Sequence, residues 1–169
     1  VGSEMCIRDS RIDNLSEADL AKFRQKFTGF IFQSYNLMLT MTALENVALP
    51  LMFKGVGKEE REAKAMEMLK LVGIDNRYTH KPKEMSGGQQ QRVGIARAFV
   101  TDPSVVFADE PTGNLDSKTT IEVMDLIKQL VYTKKQTLVM VTHDANVAKY
   151  SDITVNISDG RITSKKYNS

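Results

Sequence analysis

The sequence predicts an α/β protein built on a mainly parallel sheet with flanking helices. Two apolar runs, SVVFADE (residues 104–110) and TLVMVTH (137–143), have the composition of buried strands. A pattern typical of an amphipathic helix lies between them, from Ser117 to Tyr132. Because parallel strands need long crossover connections, usually helices, this alternation favours a parallel sheet.

Composition excludes several classes of protein. The chain has 169 residues, of which 41% are hydrophobic, so it can bury one core. The formal net charge is only +2 and no block of like charge occurs, which gives no support for a nucleic-acid or anionic-membrane role. Apolar stretches such as Leu138–Val141 are far shorter than the roughly 18 residues of a membrane-spanning helix, so we expect a soluble chain. The single cysteine, Cys6, excludes an internal disulfide and fits a reducing compartment.

The first elements are predicted from caps and spacing. Residues 1–10, VGSEMCIRDS, show no strand or helix pattern and no secretory signal, and they look like translated adaptor or other artificial sequence. A disordered natural start is the alternative. Ser16 is a good N-cap for a short helix that carries Leu20, Phe23 and Phe27 at helical spacing. GFIFQ (residues 29–33) then predicts a short buried strand that ends on a polar residue.

The remaining elements follow the same signals. A helix is predicted from about Lys58 to Val72, supported on its outer face by a Glu60–Lys64 pair and stopped by Gly73. Its apolar face is predicted to carry Ala65, Met66, Leu69 and Val72. A further helix opens at Gly87 and should end near Thr101, because Asp102 and Pro103 cannot continue it. The run ITVNISDGRI predicts a hairpin with Asp159 and Gly160 in the turn.

Two groups of residues indicate a site. Ser86, Gly87 and Gly88 stand at the start of a helix, where free amides and the helix dipole favour an anion such as phosphate. Asp109 with Glu110, His143 and Gln33 each follow a predicted strand, so they should meet at one edge of the sheet. That set suits phosphoryl transfer, although each residue alone has an ordinary structural explanation as a cap, turn or packing residue. His80, in a polar stretch, is predicted to lie on the surface without partners.

Four motifs in order carry a family resemblance. After GFIFQ come MSGGQQQR, VVFADEPTGNLDS and VMVTHD, which resemble the signature, Walker B with D-loop, and switch-histidine motifs of ABC transporter ATPases over residues 14–163. The resemblance implies a P-loop NTPase domain of ABC type that is incomplete at its N-terminus. The implied division is a leader (1–10), the end of the ATPase core with the Q-loop (11–42), a helical subdomain (43–101) and the core with Walker B, D-loop and H-loop (102–169).

The resemblance also implies roles at the sheet edge. Asp109 would hold Mg²⁺ through water, and Glu110 would act as the general base on the attacking water. His143 would contact the terminal phosphate of ATP, and Gln33 would sense the metal and the water.

Other motif positions would act across a dimer. Ser86, Gly87, Gly88 and Gln89 would face the nucleotide of a second ABC subunit in a head-to-tail dimer, and Asn114 and Asp116 lie in the loop that crosses to that subunit. Arg92 and Arg97 are expected to be internal ion-pair or packing residues. Met85 stands where the family usually has leucine, a change of little consequence.

One motif of the family is missing from these residues. The phosphate loop reads G-x-x-x-x-G-K-[ST], whereas the only Gly-Lys pair, Gly57–Lys58, has Met52 and Glu59 at the positions of the first glycine and the hydroxyl residue. It would stand before residue 11. We therefore expect this chain alone to bind ATP weakly or not at all, not to turn it over, and to be marginally stable, because a missing central strand exposes its neighbours. The full-length parent should be an ATPase.

The partner and the branch follow from two further segments. LMLTMTALENVALPLMF (residues 37–53) predicts either a docking groove for a membrane permease subunit or the core of the helical subdomain, with Tyr35, Asn36 and Met38 as contact candidates. TALENVALPL and ADEPTGNLDS resemble the branch that drives lipoprotein release, macrolide export and antimicrobial-peptide resistance, which places the protein at the inner face of the cell membrane. A cell-division ATPase, a ribosome- or nucleic-acid-associated ABC protein and a catalytically dead fragment are the alternatives, and no nucleic-acid partner is expected.

Overall fold

The computed structural model describes residues 6–7, 10–11 and 15–168. Strand β1 (Cys6–Ile7) pairs antiparallel with β2 (Ser10–Arg11), and the rest of the proposed leader lies outside the described residues. The following elements are α1 (Glu17–Phe27), β3 (Thr28–Phe32), α2 (Ala43–Phe53), α3 (Lys58–Leu71), α4 (Gly87–Phe99), β4 (Val105–Asp109), α5 (Ser117–Lys134), β5 (Thr137–Val141), α6 (Ala145–Ala148), β6 (Ile153–Ser158) and β7 (Arg161–Tyr167), with short 3₁₀ turns at Asp75–Arg77 and Pro82–Glu84.

The predicted parallel sheet is confirmed. Strands β3, β4 and β5 form one sheet in that order, and both pairings are parallel. The register places Phe32 beside Asp109 and Asp109 beside Val141, so the carboxyl ends of all three strands are level. The hairpin of β6 and β7 is also confirmed, with left-handed Asp159 and Gly160 in its turn.

One face of the sheet forms the core. Ile31, Val106 and Ala108 are buried on this face, and helix α4 packs against β3 and against α5. Helices α2, α3 and α4 pack on one another and extend the same core. The predicted face of α3 is partly wrong, because Met68 is buried where Met66 is only half-buried.

The second face of the sheet differs from the prediction. Strand β5 was predicted to be buried, but Val139 and Val141 on it are 44% and 62% exposed. Among the strands of the described part, β5 pairs only with β4, so it lies at an edge. In strand β4, Phe107 is half-buried and stacks on Phe30 with ring centroids 5.6 Å apart, so this strand is fully covered on only one side.

Helix α2, which contains Pro50, was not predicted. Thr42 and Glu45 form a capping box that starts the helix, and this local signal outweighs the proline. Asn46 is fully buried beneath the preceding loop. Its Nδ2 donates to the carbonyls of Met38, Met41 and Thr42 at 3.1, 3.2 and 2.9 Å, and its Oδ1 accepts from the Met38 amide at 2.8 Å. One side chain therefore fixes the path of the chain between β3 and α2.

The prediction for His80 is wrong. Its ring is half-buried, its Nε2 lies 2.9 Å from Nη1 of Arg77, and its carbonyl accepts from the Ala43 amide at 2.8 Å. His80 thus helps to hold the start of α2. Across residues 15–168, no helix combines the length and apolar character that crossing a bilayer requires.

We expect Asn46→Ala to lower the free energy of unfolding by about 2–4 kcal/mol, because the buried loop amide and carbonyls lose their partner. Urea denaturation measures the change. Asn156→Ala is the matched control, since the Asn156 side chain donates to Ser164 Oγ on the exposed hairpin, and it should change stability by less than about 0.5 kcal/mol. Equal effects of the two substitutions would contradict the assigned role of Asn46.

Candidate functional site

The ends of the three parallel strands bring the predicted residues together. Asp109 ends β4 and is exposed, and Glu110 follows it in a left-handed conformation with φ of 43°. The Glu110 amide donates to the Val141 carbonyl at 2.9 Å, which ties this turn to the end of β5. Left-handed backbone in a non-glycine residue is strained and is held here by tertiary hydrogen bonds.

The Glu110 carboxylate is oriented by the residues after β5. Its Oε1 accepts from the His143 amide at 3.0 Å and lies 2.7 Å from Nδ1 of the same residue, and its Oε2 accepts from the Thr142 hydroxyl at 3.3 Å. The Glu110 side chain is 20% exposed and the His143 side chain 83%. Because an ionised carboxylate only accepts hydrogen bonds, Nδ1 carries the proton in this contact, and Nε2 is the ring atom available to a ligand.

Gln33 and Asn114 hold each other. The Gln33 Nε2 lies 3.5 Å from the Asn114 Oδ1, and the Asn114 Nδ2 donates to the Gln33 carbonyl at 3.0 Å. The residue after β3 is thereby joined to the loop after β4.

Asp116 closes this loop as the N-cap of α5. Its carboxylate accepts from the amide and the hydroxyl of Thr119 at 3.0 and 2.8 Å. These bonds, the amide first, hold the pKa of Asp116 below its ordinary value. The structure therefore gives Asp116 a capping role, beside the role at a dimer contact that the motif implies.

The start of α4 is a capping box. The Ser86 hydroxyl accepts from the Gln89 amide at 3.3 Å, and the Gln89 Oε1 accepts from the Ser86 amide at 3.0 Å. Helix geometry leaves the amides of Gly87 and Gly88 without intrahelical acceptors, and the Ser86 hydroxyl keeps its own proton to donate. The Gln89 side chain is engaged in the cap, so the expectation that it also faces the nucleotide of a second subunit stays a prediction.

Both glycines lie close to side chains of other segments. A Cβ on Gly87 would lie 2.8 Å from Tyr35 Oη, and one on Gly88 would lie 2.7 Å from Thr119 Cγ2. The start of α4 is thus wedged between the loop after β3 and the start of α5.

Arg97 fixes the loop after β3. Tyr35 and Asn36 both have left-handed backbone, with φ of 60° and 47°. The Arg97 guanidinium donates to their carbonyls at 2.8 and 2.5 Å. Burial lowers the pKa of Arg97 from its ordinary value, which still leaves it protonated near neutrality. The expected ion pair is found for Arg92, which lies 3.3 Å from Glu122, whereas Arg97 binds backbone carbonyls.

Gln91 is a further polar residue that the sequence did not single out. Its side chain is fully buried, and its Nε2 donates to the Pro111 carbonyl. The signal was present in the sequence, because helical spacing places Gln91 on the same face of α4 as Gly87 and Gly94.

A groove of about 320 Å³ lies beside the loop that Arg97 fixes. It runs between α1, β3, α2 and α4, and its lining is mainly apolar with two arginines. The apolar side chains are Phe30, Phe32, Leu49, Pro50 and Phe53, and the cations are Arg24 and Arg97. The interpretation of the Met-rich segment as core is confirmed for part of it, whereas its interpretation as a docking groove stays a prediction. Val47 and Leu51 belong to the core, whereas Met38 and Phe53 are 48% and 66% exposed.

The donor set fits part of a nucleotide site. Free amides at the start of α4 suit an anion, and the exposed carboxylate of Asp109 suits one contact to Mg²⁺, which usually takes one or two carboxylates plus phosphate oxygens. Within the described ranges, no group of three or more histidine, cysteine or acidic side chains is arranged to hold a metal by itself. A metal held here would need ligands from water and phosphate.

Comparison with known proteins agrees with the order of these elements. A family model described as ABC transporter matches residues 5–113. An uncharacterized ABC transporter ATP-binding protein of Thermotoga maritima is 46% identical over 159 residues, covering 94% of this chain and 68% of that protein. The lipoprotein-releasing system ATP-binding protein LolD of Geobacter metallireducens is 49% identical over 148 residues, covering 88% of this chain and 66% of that protein.

A solved structure shows the same architecture. The ATP-binding cassette MJ0796 of Methanocaldococcus jannaschii, a dimer in a post-hydrolysis state bound to ADP and Pi, superposes with a TM-score of 0.86 at 41% identity, covering 96% of this chain and 72% of that one. The level strand ends, the glycine-bearing start of α4 and these likenesses lead to one conclusion: the chain belongs to the ATP-binding subunits of ABC transporters.

Proposed function

We propose that this protein is the ATP-hydrolysing subunit of an ABC transporter of the export or lipoprotein-release type. The observation that carries the enzymatic part is the Glu110 carboxylate, which Thr142 and His143 orient at the level ends of the sheet. The transport branch is supported by the likeness to LolD, a lipoprotein-releasing system protein.

Each residue at the sheet edge has a role that its contacts permit. Glu110 accepts a proton from the attacking water, because its carboxylate is held in place yet partly exposed. His143 presents Nε2 to the terminal phosphate while Nδ1 stays on Glu110. Asp109 would hold Mg²⁺ through water, and the Gln33 side chain, which contacts Asn114, would respond to a change at this site. ATP is the substrate whose phosphoanhydride bond is broken, and bound Mg²⁺ would neutralise part of the charge of its phosphates.

The start of α4 is proposed to act on a nucleotide held by a second subunit. Ser86, Gly87 and Gly88 offer hydrogen-bond donors and the positive end of a helix, but these 169 residues contain no phosphate loop to hold the anion from the other side. In a head-to-tail pair, a second subunit that carries a phosphate loop would hold the anion from that side. Asn114 and Asp116 stand in the loop proposed to cross to that subunit, and the dimeric form of the MJ0796 cassette supports this arrangement.

The groove beside Arg97 is the proposed docking site for a membrane permease subunit. An apolar helix of that subunit would contact Phe53 and Leu49, and a carboxylate or the carbonyl end of the helix would face Arg24 and Arg97. Such a contact holds the protein at the inner face of the cell membrane. It also acts directly on Tyr35 and Asn36, which Arg97 fixes, so docking and the Gln33 site share one loop.

We expect the 169-residue chain alone to show no saturable ATP binding, with a Kd above about 1 mM, and no turnover. The physical reason is the lack of a phosphate loop in its sequence. Isothermal titration calorimetry and thermal melting with ATP and Mg²⁺ test this, with the complete LolD of Geobacter metallireducens as the positive control. A cooperative melt whose midpoint rises with ATP would contradict the expectation.

The role of Glu110 is tested in a chimaera that joins the amino-terminal segment of LolD, including its phosphate loop, to residues 15–168. We expect the chimaera to hydrolyse ATP, and Glu110→Gln to lower kcat by about 10²–10⁴-fold with ATP affinity retained, because the general base is lost. Glu67→Gln, on the exposed side of α3, is the control and should leave kcat unchanged. If kcat survives in Glu110→Gln, Glu110 is not the base.

Docking is tested with a membrane permease subunit of a lipoprotein-releasing system, because LolD belongs to such a system. Phe53→Glu should weaken binding of the purified chain to that subunit in detergent by at least about tenfold, because it places a charge in an apolar groove. Tyr132→Glu is the control, since Tyr132 is 86% exposed on α5 and does not line the groove. Unchanged affinity in Phe53→Glu, measured by biolayer interferometry, would exclude the groove as the docking site.

A further inference from the structure

One face of α4 touches both loops of the candidate site. Gly87, Gln91 and Gly94 recur at the spacing of a single helix face. Gly87 lies against the Tyr35 ring, and a Cβ on Gly94 would lie 3.7 Å from the Tyr35 carbonyl. Between them, Gln91 contacts the other loop through the Pro111 carbonyl. This helix therefore joins two segments that are separate in sequence.

The environment of Gln91 is unusual for a packing residue. Its side chain has no exposed surface, Nε2 donates to Pro111, and Oε1 is buried without a partner among residues 15–168. A buried amide with one half unsatisfied is costly, and an apolar side chain of equal length would fill the same space without that cost. What the amide adds is one directed hydrogen bond.

The acceptor of this bond is next to the proposed base. Pro111 follows Glu110 directly, and its ring fixes its own φ. The Glu110 carbonyl accepts from the Gly113 amide at 3.1 Å, so the segment is a tight turn. A bond that fixes the Pro111 carbonyl therefore limits how the Glu110 backbone can rotate. Gln91 and Pro111 are 20 positions apart in the chain, so the hydrogen bond, and not a short stretch of backbone, links helix α4 to this turn.

We propose that Gln91 is a positioning residue that couples the start of α4 to the Glu110 carboxylate. Movement of the Ser86–Gly88 segment shifts α4, and the bond from Gln91 to the Pro111 carbonyl carries that shift into the turn that holds Glu110. If the chain acts in a transporter as proposed, this coupling links the signature segment Ser86–Gly88 to the general base Glu110 of the same subunit, and this part of the inference rests on the proposed function. The coupling itself is a property of this chain and needs neither nucleotide nor partner.

The readout is the imidazole of His143, whose Nδ1 lies 2.7 Å from Glu110 Oε1. Its ring ¹⁵N and ¹³C resonances respond to the position of that carboxylate. The chain has only two histidines, so His80→Gln assigns the signals. The perturbation is Ser86→Ala, which removes the capping hydroxyl at the start of α4.

We expect Ser86→Ala to shift the His143 ring resonances in the otherwise unsubstituted chain. The same substitution should cause no shift in a Gln91→Met background, where the donor to Pro111 is gone and the side-chain volume is nearly kept. A Gln90→Met background is the matched control. Gln90 is the adjacent glutamine. Its Nε2 donates at 3.0 Å to the carbonyl of Met85, which lies just before the N-cap of α4. There the shift should persist.

A purely structural role for Gln91 predicts a different result. Gln91→Met would then lower the melting temperature, but the His143 signal would still respond to Ser86→Ala. That result overturns the proposal, as does the absence of any response to Ser86→Ala in the unsubstituted background. If Gln91→Met does not fold, Gln91→Asn provides the second variant, because it keeps the amide but is one methylene too short to reach Pro111. Loss of the response in that variant supports the coupling, and its persistence overturns it.

Discussion

The level pairing of three parallel strands is the constraint on which the rest of the site depends. Phe32, Asp109 and Val141 lie side by side, so the residues that follow each strand emerge at one edge. A shift of one residue in either pairing would turn the side chains of that strand to the other face. The side chains at the strand ends would then be too far apart for two sets of hydrogen bonds. These are the bonds of Glu110 with the Thr142–His143 segment and those of Gln33 with Asn114.

Helix α4 is the second support, and it acts through polar contacts on strained backbone. Tyr35, Asn36 and Glu110 all have positive φ, a conformation that costs of order 1 kcal/mol or more for such residues. Arg97 binds the carbonyls of the first two, and Gln91 binds the carbonyl that follows the third. Contacts with α4 therefore lie at or beside each of these three positions, and at Glu110 they add to the bond between its amide and the Val141 carbonyl.

Two parts of the exposed apolar surface differ in character. The groove lined by Phe53 and Leu49 is concave and carries arginines, as expected for a surface that receives a helix. Strand β5 instead presents Val139 and Val141 at a sheet edge, and Ile157 of β6 is 68% exposed. Exposed strand edges with apolar side chains favour association through further strand pairing. The marginal stability expected from the sequence stays a prediction.

Helix caps, turns and the alternation of strands with helices could be predicted without the structure, because they depend on residues that are close in the sequence. The Ser16 cap, the Asp159–Gly160 turn and the alternation of β4, α5 and β5 were predicted correctly. Helix α2 was not predicted. The same pattern predicted that Gln33, Glu110 and His143 would meet at one edge of the sheet, since parallel strands end on the same side.

The hydrogen-bond partners of the buried polar groups, and which faces of each strand are buried, could not be predicted because they depend on tertiary packing. The acceptors of Gln91 and Arg97 lie 20 and about 60 positions away, and the exposure of β5 depends on which strands pair with it. In the sequence, the polar face of α4 is visible only as residues that recur at helical spacing. Its contacts with the loops after β3 and β4 form only once packing brings these segments together. Spacing places Gln91 on one face of α4, but it does not reveal which carbonyl, 20 positions away, accepts its hydrogen bond.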